Sequence, residues 1–224
     1  MPLPAVVFQA AIVDLDGTLV DTVGDFDVAL GQAFSDLGLP PVSRGFIART
    51  VGKGSEHLLR QALAETGAQA SWYEAAWTSY QRHYLSINGQ HSAVYAGAIE
   101  GLQALRSRGL RLVCLTNKPG AFARPLLVSK ELAGYFEHVF GGDAFEHKKP
   151  HPQPLLEACR VLGSAPARTL MVGDSSNDAI AARAAGCPVV LVSYGYNHGE
   201  PVAAAGADAV IDRIDELPAL LLRN

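Results

Sequence analysis

Cysteine is scarce in this chain of 224 residues, and the placement of its three cysteines excludes more than their number does. Cys114, Cys159 and Cys187 lie far apart among apolar neighbours. They read as small buried hydrophobes, not as a disulfide framework or a zinc site. The seven histidines show no metal-ligand spacing either. Positive charge is also in short supply, with 18 Lys and Arg against 22 Asp and Glu, a net charge of -4 and a pI near 5.9. No basic run interleaves with aromatics, so nucleic acid is not an expected partner. No apolar stretch approaches the roughly 20 residues that span a bilayer, and no charged region precedes the N-terminal apolar segment. Membrane association is therefore not expected, and the cytoplasm is the expected location.

What is present is hydrophobic: 49% of residues, ample for a sizeable core in one large domain or in a core with a smaller module. Runs rich in Val, Ile and Leu recur at 6–15, 110–115, 169–172, 189–192 and 209–211 without strict polar alternation, the pattern of strands buried on both faces. Helical spacing lies between them, over 101–108, 152–162 and 178–185. This alternation predicts an α/β fold, a doubly wound, Rossmann-like parallel sheet with its sites at the carboxyl ends of the strands. The stretch from about Thr22 to Val94 breaks the rhythm. Phe26, Leu30, Phe34 and Leu37, and later Leu58, Leu59, Ala62 and Leu63, are spaced for helices, and no strand is evident there. Residues 1–21 and 95–224 are therefore expected to form the core, with 22–94 a helical insertion after the first strand.

Three expected strands end in reactive polar groups. The first ends in Asp14-Leu15-Asp16-Gly17, where period-2 alternation sends both carboxylates to one face. Like charges so close call for a divalent cation or a shared proton, although a strand end with an Asp-Gly turn would share the pattern. The second runs into Thr116-Asn117, and the third into Asp174-Ser175-Ser176-Asn177-Asp178. Each of these two alone is equally a helix cap. A fourth element, Lys148-Lys149-Pro150-His151-Pro152, offers a cation on a stiffened backbone in a chain poor in lysine.

Asp14-Leu15-Asp16-Gly17-Thr18, Leu115-Thr116-Asn117, Lys149-Pro150 and Gly173-Asp174-Ser175-Ser176-Asn177-Asp178 stand in the order of the four motifs of the haloacid dehalogenase-like hydrolase superfamily. The chain resembles that superfamily. Gly141-Gly142-Asp143, Lys148 to Pro152, Ala181 to Gly186 and Tyr194-Gly195-Tyr196-Asn197 extend the resemblance, along nearly the whole length, to bacterial phosphoglycolate phosphatases. It implies a cap formed by the helical insertion, Mg2+, and hydrolysis of a small phosphate monoester such as 2-phosphoglycolate.

By that resemblance Asp14 is the nucleophile that forms an aspartyl-phosphate, and Asp16 the acid and base, so that Asp14 is ionised and Asp16 protonated at the first step. Asp14, the backbone carbonyl of Asp16 and Asp174 are the implied ligands of Mg2+. Thr116, Asn117 and Lys149 are implied to hold the phosphoryl group, with Lys149 supplying charge in catalysis. Asp178 would orient Lys149 or a metal-bound water, or serve as a helix cap. Arg49 and Lys53, flanking Val51-Gly52, are the cap candidates for recognising an anionic organic group, with a solvated surface role equally open. A phosphatase for another sugar phosphate or for pyrophosphate, or a sugar-phosphate mutase, would use the same motifs. A dehalogenase fits less well, because such members lack a second carboxylate at the Asp16 position. A receiver-type phosphoacceptor module would need neither Asp16 nor the helical block. Monomer and homodimer are both open.

Overall fold

The computed structural model describes residues 6–221. Six strands, β1 (Ala10–Val13), β4 (Arg111–Leu115), β5 (His138–Phe140), β6 (Thr169–Gly173), β7 (Val189–Val192) and β8 (Ala209–Ile211), form a parallel sheet in the order β5-β4-β1-β6-β7-β8. Alternate side chains of each strand enter opposite cores. Ala11 and Val13 join Leu112, Cys114, Leu170 and Val172 on one face, while Ala10 and Ile12 join Val113, Leu115 and Met171 on the other. Register keeps these rows level, with Ile12 beside both Val113 and Met171. A strand buried on both faces has no polar row, which is why these segments read as continuous apolar runs.

The first face is covered by α5 (Ala98–Ser107), α6 (Gly120–Ser129) and the short α9 (Leu217–Leu221). The second is covered by α7 (Gln153–Leu162) and α8 (Ser176–Ala185). The chain starts in the middle of the sheet at β1, builds outward through β4 and β5, then crosses back to build through β6, β7 and β8. That reversal opens a crevice at the carboxyl ends of β4, β1 and β6.

A hairpin of β2 (Val20–Asp21) and β3 (Ala93–Val94) leads out of and back into this layer. Between its strands α1 (Val23–Asp36), α2 (Arg44–Thr50), α3 (Ser55–Glu65) and α4 (Tyr73–Ile87) pack around a core of their own. Phe26, Phe34, Leu58, Tyr80 and Tyr84 fill it, joined by Phe122 of α6. The Phe122 and Tyr84 rings lie 4.7 Å apart, so aromatic packing joins the helical layer to the sheet layer. Buried Asp25 accepts from the backbone N–H of Gly89 and His91 at 2.9 and 2.7 Å, which fastens the first turn of α1 to the segment after α4.

Three strands differ from the sequence expectation: β3 does occur within 22–94, its partner β2 follows the first expected strand, and β5 forms where none was expected. All three are short, and β5 is an edge strand with its three residues half-buried or exposed, so none produces a sustained apolar run. The three cysteines are buried and unpaired, as their neighbours implied, with the Cys159 and Cys187 sulfurs 3.8 Å apart.

Candidate active site

Asp14, Thr116 and Asp174 each stand just past the end of β1, β4 and β6, and parallel pairing brings them to one rim. Carboxylate oxygens of Asp14, Asp174 and Asp178 lie within 4.8 Å of one another, all buried. Against these three stands one ammonium. Lys149 Nζ contacts Asp178 at 2.7 Å and Asp14 at 3.0 Å, and donates to the Leu115 carbonyl at 3.0 Å. Burial opposes the Lys149 charge, but Asp14 and Asp178 more than offset it and hold the ammonium above its ordinary range. Burial lifts the Asp14 carboxyl to about 7, with Lys149 pulling it down and Asp178 pushing it up. Asp174 is raised well above the carboxylate range by burial, then by Asp178 and Asp14.

Asp178 both caps a helix and holds the lysine. Its Oδ2 accepts from Ser175 Oγ and from the backbone N–H of Asp174 and Ser175, completing a capping box on α8, while Oδ1 holds Lys149. With four donors it has little capacity left for a cation. Asp14 and Asp174 are freer. Among the described residues Asp174 accepts only from neutral donors, Thr18 Oγ1 at 3.0 Å and the Tyr196 N–H at 2.6 Å. Backbone presses close to it: a Cβ on Gly17, whose φ is +82°, would lie 2.3 Å from Asp174 Oδ2, and one on Gly195 2.4 Å from the same atom. An oxygen-rich, carboxylate-heavy, buried site with one ammonium fits a hard divalent cation. Asp14 and Asp174 are the side chains able to hold it.

Asp16 faces a different environment. Its Oδ1 accepts from Lys118 Nζ at 2.9 Å and from Thr22 Oγ1 at 2.8 Å, which keeps its carboxylate out of the Asp14 cluster. Lys118 has a completely buried side chain, and its ammonium stands 4.3 Å from the Phe26 ring centroid and 4.8 Å from that of Tyr84. The two strand-end carboxylates are thus inequivalent: Asp14 lies among two other acids and shares the Lys149 ammonium with Asp178, whereas Asp16 stands apart with Lys118 as its own cation.

The amide of Asn117 is committed to the protein. It donates to the carbonyls of Gly52 at 2.9 Å and Lys149 at 2.8 Å, and accepts from the Lys149 N–H at 3.0 Å. It clamps the Lys149 loop, whose Lys149–Pro150 bond is cis, to the end of β4 and to the loop after α2. Thr116 keeps its hydroxyl proton free among the described residues, since its Oγ1 only accepts, from the Lys118 N–H at 3.2 Å.

Asp14, Asp16, Thr116, Asn117 and Lys118 line one wall of a cavity whose other wall is Phe26, Val51, Gly52, Gly54, Ser55 and Leu58 from the helical layer. Its free space is about 20 Å³, room for one or two waters. Arg49 and Lys53 are exposed and do not line it; Arg49 borders a neighbouring open cleft with Asp174 and Tyr196. Sequence reasoning missed Lys118, Thr22, Thr18 and Ser55. Lys118 carried one usable signal, its two-residue offset from Thr116, which in an extended segment puts both on one side.

A model of the haloacid dehalogenase-like hydrolases matches residues 11–192, a span that holds Asp14, Asp16, Thr116, Asn117, Lys118, Lys149, Asp174 and Asp178. The chain belongs to the haloacid dehalogenase-like hydrolases. Within that family it is 42% identical to a phosphoglycolate phosphatase of Thiobacillus denitrificans, over 96% of this chain and 95% of that one. It is 45% identical to a plasmid-encoded phosphoglycolate phosphatase of Cupriavidus necator, over 95% and 92%. Among solved structures, a predicted phosphoglycolate phosphatase from Haemophilus somnus superposes with a TM-score of 0.90 at 30% identity, covering 95% of this chain and 97% of that one. The hydrolase core and its helical layer are thus shared along nearly the full length. Among the described residues no helix is long and apolar enough to cross a membrane.

Proposed function

We propose that the chain is a Mg2+-dependent phosphatase that hydrolyses 2-phosphoglycolate to glycolate and phosphate, acting in the cytoplasm. The observation that carries this reading is the inequivalence of Asp14 and Asp16, two carboxylates from one strand end set in unlike surroundings. Phosphoryl transfer through an enzyme carboxylate needs that division of labour. The names and near-complete coverage of the relatives favour phosphoglycolate over other small monoesters.

Asp14 attacks phosphorus with a carboxylate oxygen, and the bond from phosphorus to the ester oxygen breaks. Asp16 gives its proton to the departing alkoxide. Water then attacks phosphorus, the bond to Asp14 breaks, and Asp16 takes the proton from that water. In the structure burial lifts the Asp14 carboxyl toward neutral pH, while Asp16 holds Lys118 through one oxygen, Oδ1. Mg2+ held by Asp14, Asp174 and the Asp16 carbonyl would supply the charge that ionises Asp14 and offsets its repulsion from the phosphoryl oxygens. Lys149 adds a fixed positive charge, held by Asp178, and Thr116 donates its free hydroxyl hydrogen to a phosphoryl oxygen. Asn117 works from behind, positioning Lys149. Residues 22–94 act as a cap that opens for substrate and closes to exclude water, since the cavity is too small to fill without movement.

Assay of a panel of phosphate esters with and without Mg2+ tests this. Metal-dependent release from 2-phosphoglycolate, well above that from hexose phosphates, is expected. Turnover of hexose phosphates with none of phosphoglycolate would refute the substrate and leave the phosphatase class.

A further inference from the structure

Resting on the reading of this chain as a 2-phosphoglycolate phosphatase, we propose that Lys118 receives the substrate's carboxylate, with the Ser55 hydroxyl as the second donor. Of the residues lining the cavity Lys118 alone carries positive charge, and the two cap cations nearby in sequence, Arg49 and Lys53, are exposed outside it.

The substrate's own bonds fix where such a cation must stand. In 2-phosphoglycolate the carboxyl carbon is two bonds from the ester oxygen, so its oxygens lie only about 3 Å from that atom. The ester oxygen must in turn lie within roughly 3 Å of the carboxylate that protonates it. A receptor for the substrate carboxylate therefore belongs immediately beside the acid. Lys118 Nζ is 2.9 Å from Asp16 Oδ1, which leaves Asp16 Oδ2 for proton transfer. Among the described residues that ammonium makes one hydrogen bond; the rings of Phe26 and Tyr84 flank it without accepting its remaining N–H groups in the ordinary way. It retains donor capacity at the place where a second anion would arrive.

Ser55 is an independent sign of a ligand. It opens α3, lines the same cavity and is 2% exposed, and among the described residues its Oγ makes no hydrogen bond of good geometry, with the equally buried Tyr80 hydroxyl its polar neighbour. A buried hydroxyl without a partner is unfavourable unless something else satisfies it. A carboxylate bridging Lys118 and Ser55 would span the sheet layer and the cap, making closure depend on the presence of that charge. The apolar side chains of the cap wall, Phe26, Val51 and Leu58, offer no partner to the hydroxyls of a sugar, which would be desolvated against them without compensation.

The test compares 2-phosphoglycolate with 2-hydroxyethyl phosphate, which replaces the carboxylate by a neutral CH2OH. For Lys118→Met, which keeps the aliphatic stem against Phe26 and Tyr84, kcat/KM on phosphoglycolate should fall on the order of 100-fold further than on hydroxyethyl phosphate. Inhibition by glycolate should weaken by more than inhibition by inorganic phosphate. Equal losses on both esters would show that Lys118 acts only through Asp16 and would overturn the assignment. Should Lys118→Met fail to fold by circular dichroism, Ser55→Ala decides: a selective loss of about 10-fold supports the proposal, and an unchanged ratio of the two esters refutes it. Failure of the wild-type enzyme on phosphoglycolate would overturn the substrate reading as well. A wild-type preference that both variants retain overturns the Lys118 and Ser55 assignment alone.

Discussion

Replacing Asn117 by alanine separates two roles that the motif Thr116-Asn117 leaves entangled. If its amide held the phosphoryl group, the loss would appear in ligand affinity; because it clamps the Lys149 loop, the loss should appear first in stability. The variant strips partners from the backbone N–H and C=O of Lys149, a residue only 3% exposed. Each orphaned buried group costs about 1–3 kcal/mol. The Gly52 carbonyl suffers less, since Asn177 Nδ2 still donates to it at 3.2 Å. The sum is about 2–6 kcal/mol, which at roughly 2–4 °C per kcal/mol for a chain of this size lowers Tm by about 4–24 °C. Catalysis should fall about 10- to 100-fold in kcat, because Lys149 loses its fixed position. Asn117→Asp, which keeps the acceptor for the Lys149 N–H, should recover part of the stability. Thermal unfolding and inorganic phosphate inhibition are the two assays. A Tm unchanged within a degree, beside a large loss of phosphate affinity, would refute the clamp.

Two further outcomes follow from other contacts. Gly195→Ala should raise the Mg2+ concentration needed for half-maximal rate by about 10-fold or more, because the new methyl would lie 2.4 Å from Asp174 Oδ2 and must displace that carboxylate; an unchanged Mg2+ titration would dissociate Asp174 from the cation. Asp36→Asn should produce a small, pH-dependent drop in Tm. The Ser79 hydroxyl, then His83, hold the Asp36 carboxyl below its ordinary range. As pH falls the unfolded chain takes up the proton first, so the wild-type advantage is present at neutral pH and vanishes once the folded carboxyl is protonated. A drop in Tm that persisted undiminished at the acid end would contradict it.

The sheet was legible because strands buried on both faces carry apolar residues in both alternating rows, as Ala10 to Val13 and Val189 to Val192 do. The rim was legible for a related reason: Asp14, Thr116 and Asp174 are abrupt polar endings to such runs. β5 and the β2–β3 hairpin were not, being too short to show a period. The function of Lys118 was hidden because its partners, Asp16, Phe26 and Tyr84, come from three distant segments and only packing assembles them. The clamp made by the Asn117 side chain was hidden for the same reason, its acceptors lying 65 and 32 residues away. Arg49 and Lys53 looked suitable as charges on a glycine loop, but helix α2 and that loop turn both to solvent.

The central claim is covalent catalysis by Asp14. Acid quenching of the Mg2+ enzyme during turnover of 32P-labelled 2-phosphoglycolate, followed by peptide mapping, tests it most directly. Label on the peptide carrying Asp14, absent from an Asp14→Asn variant that unfolds like wild type yet releases no phosphate, is the predicted result. Label on another residue, or substantial phosphate release by Asp14→Asn, would contradict it.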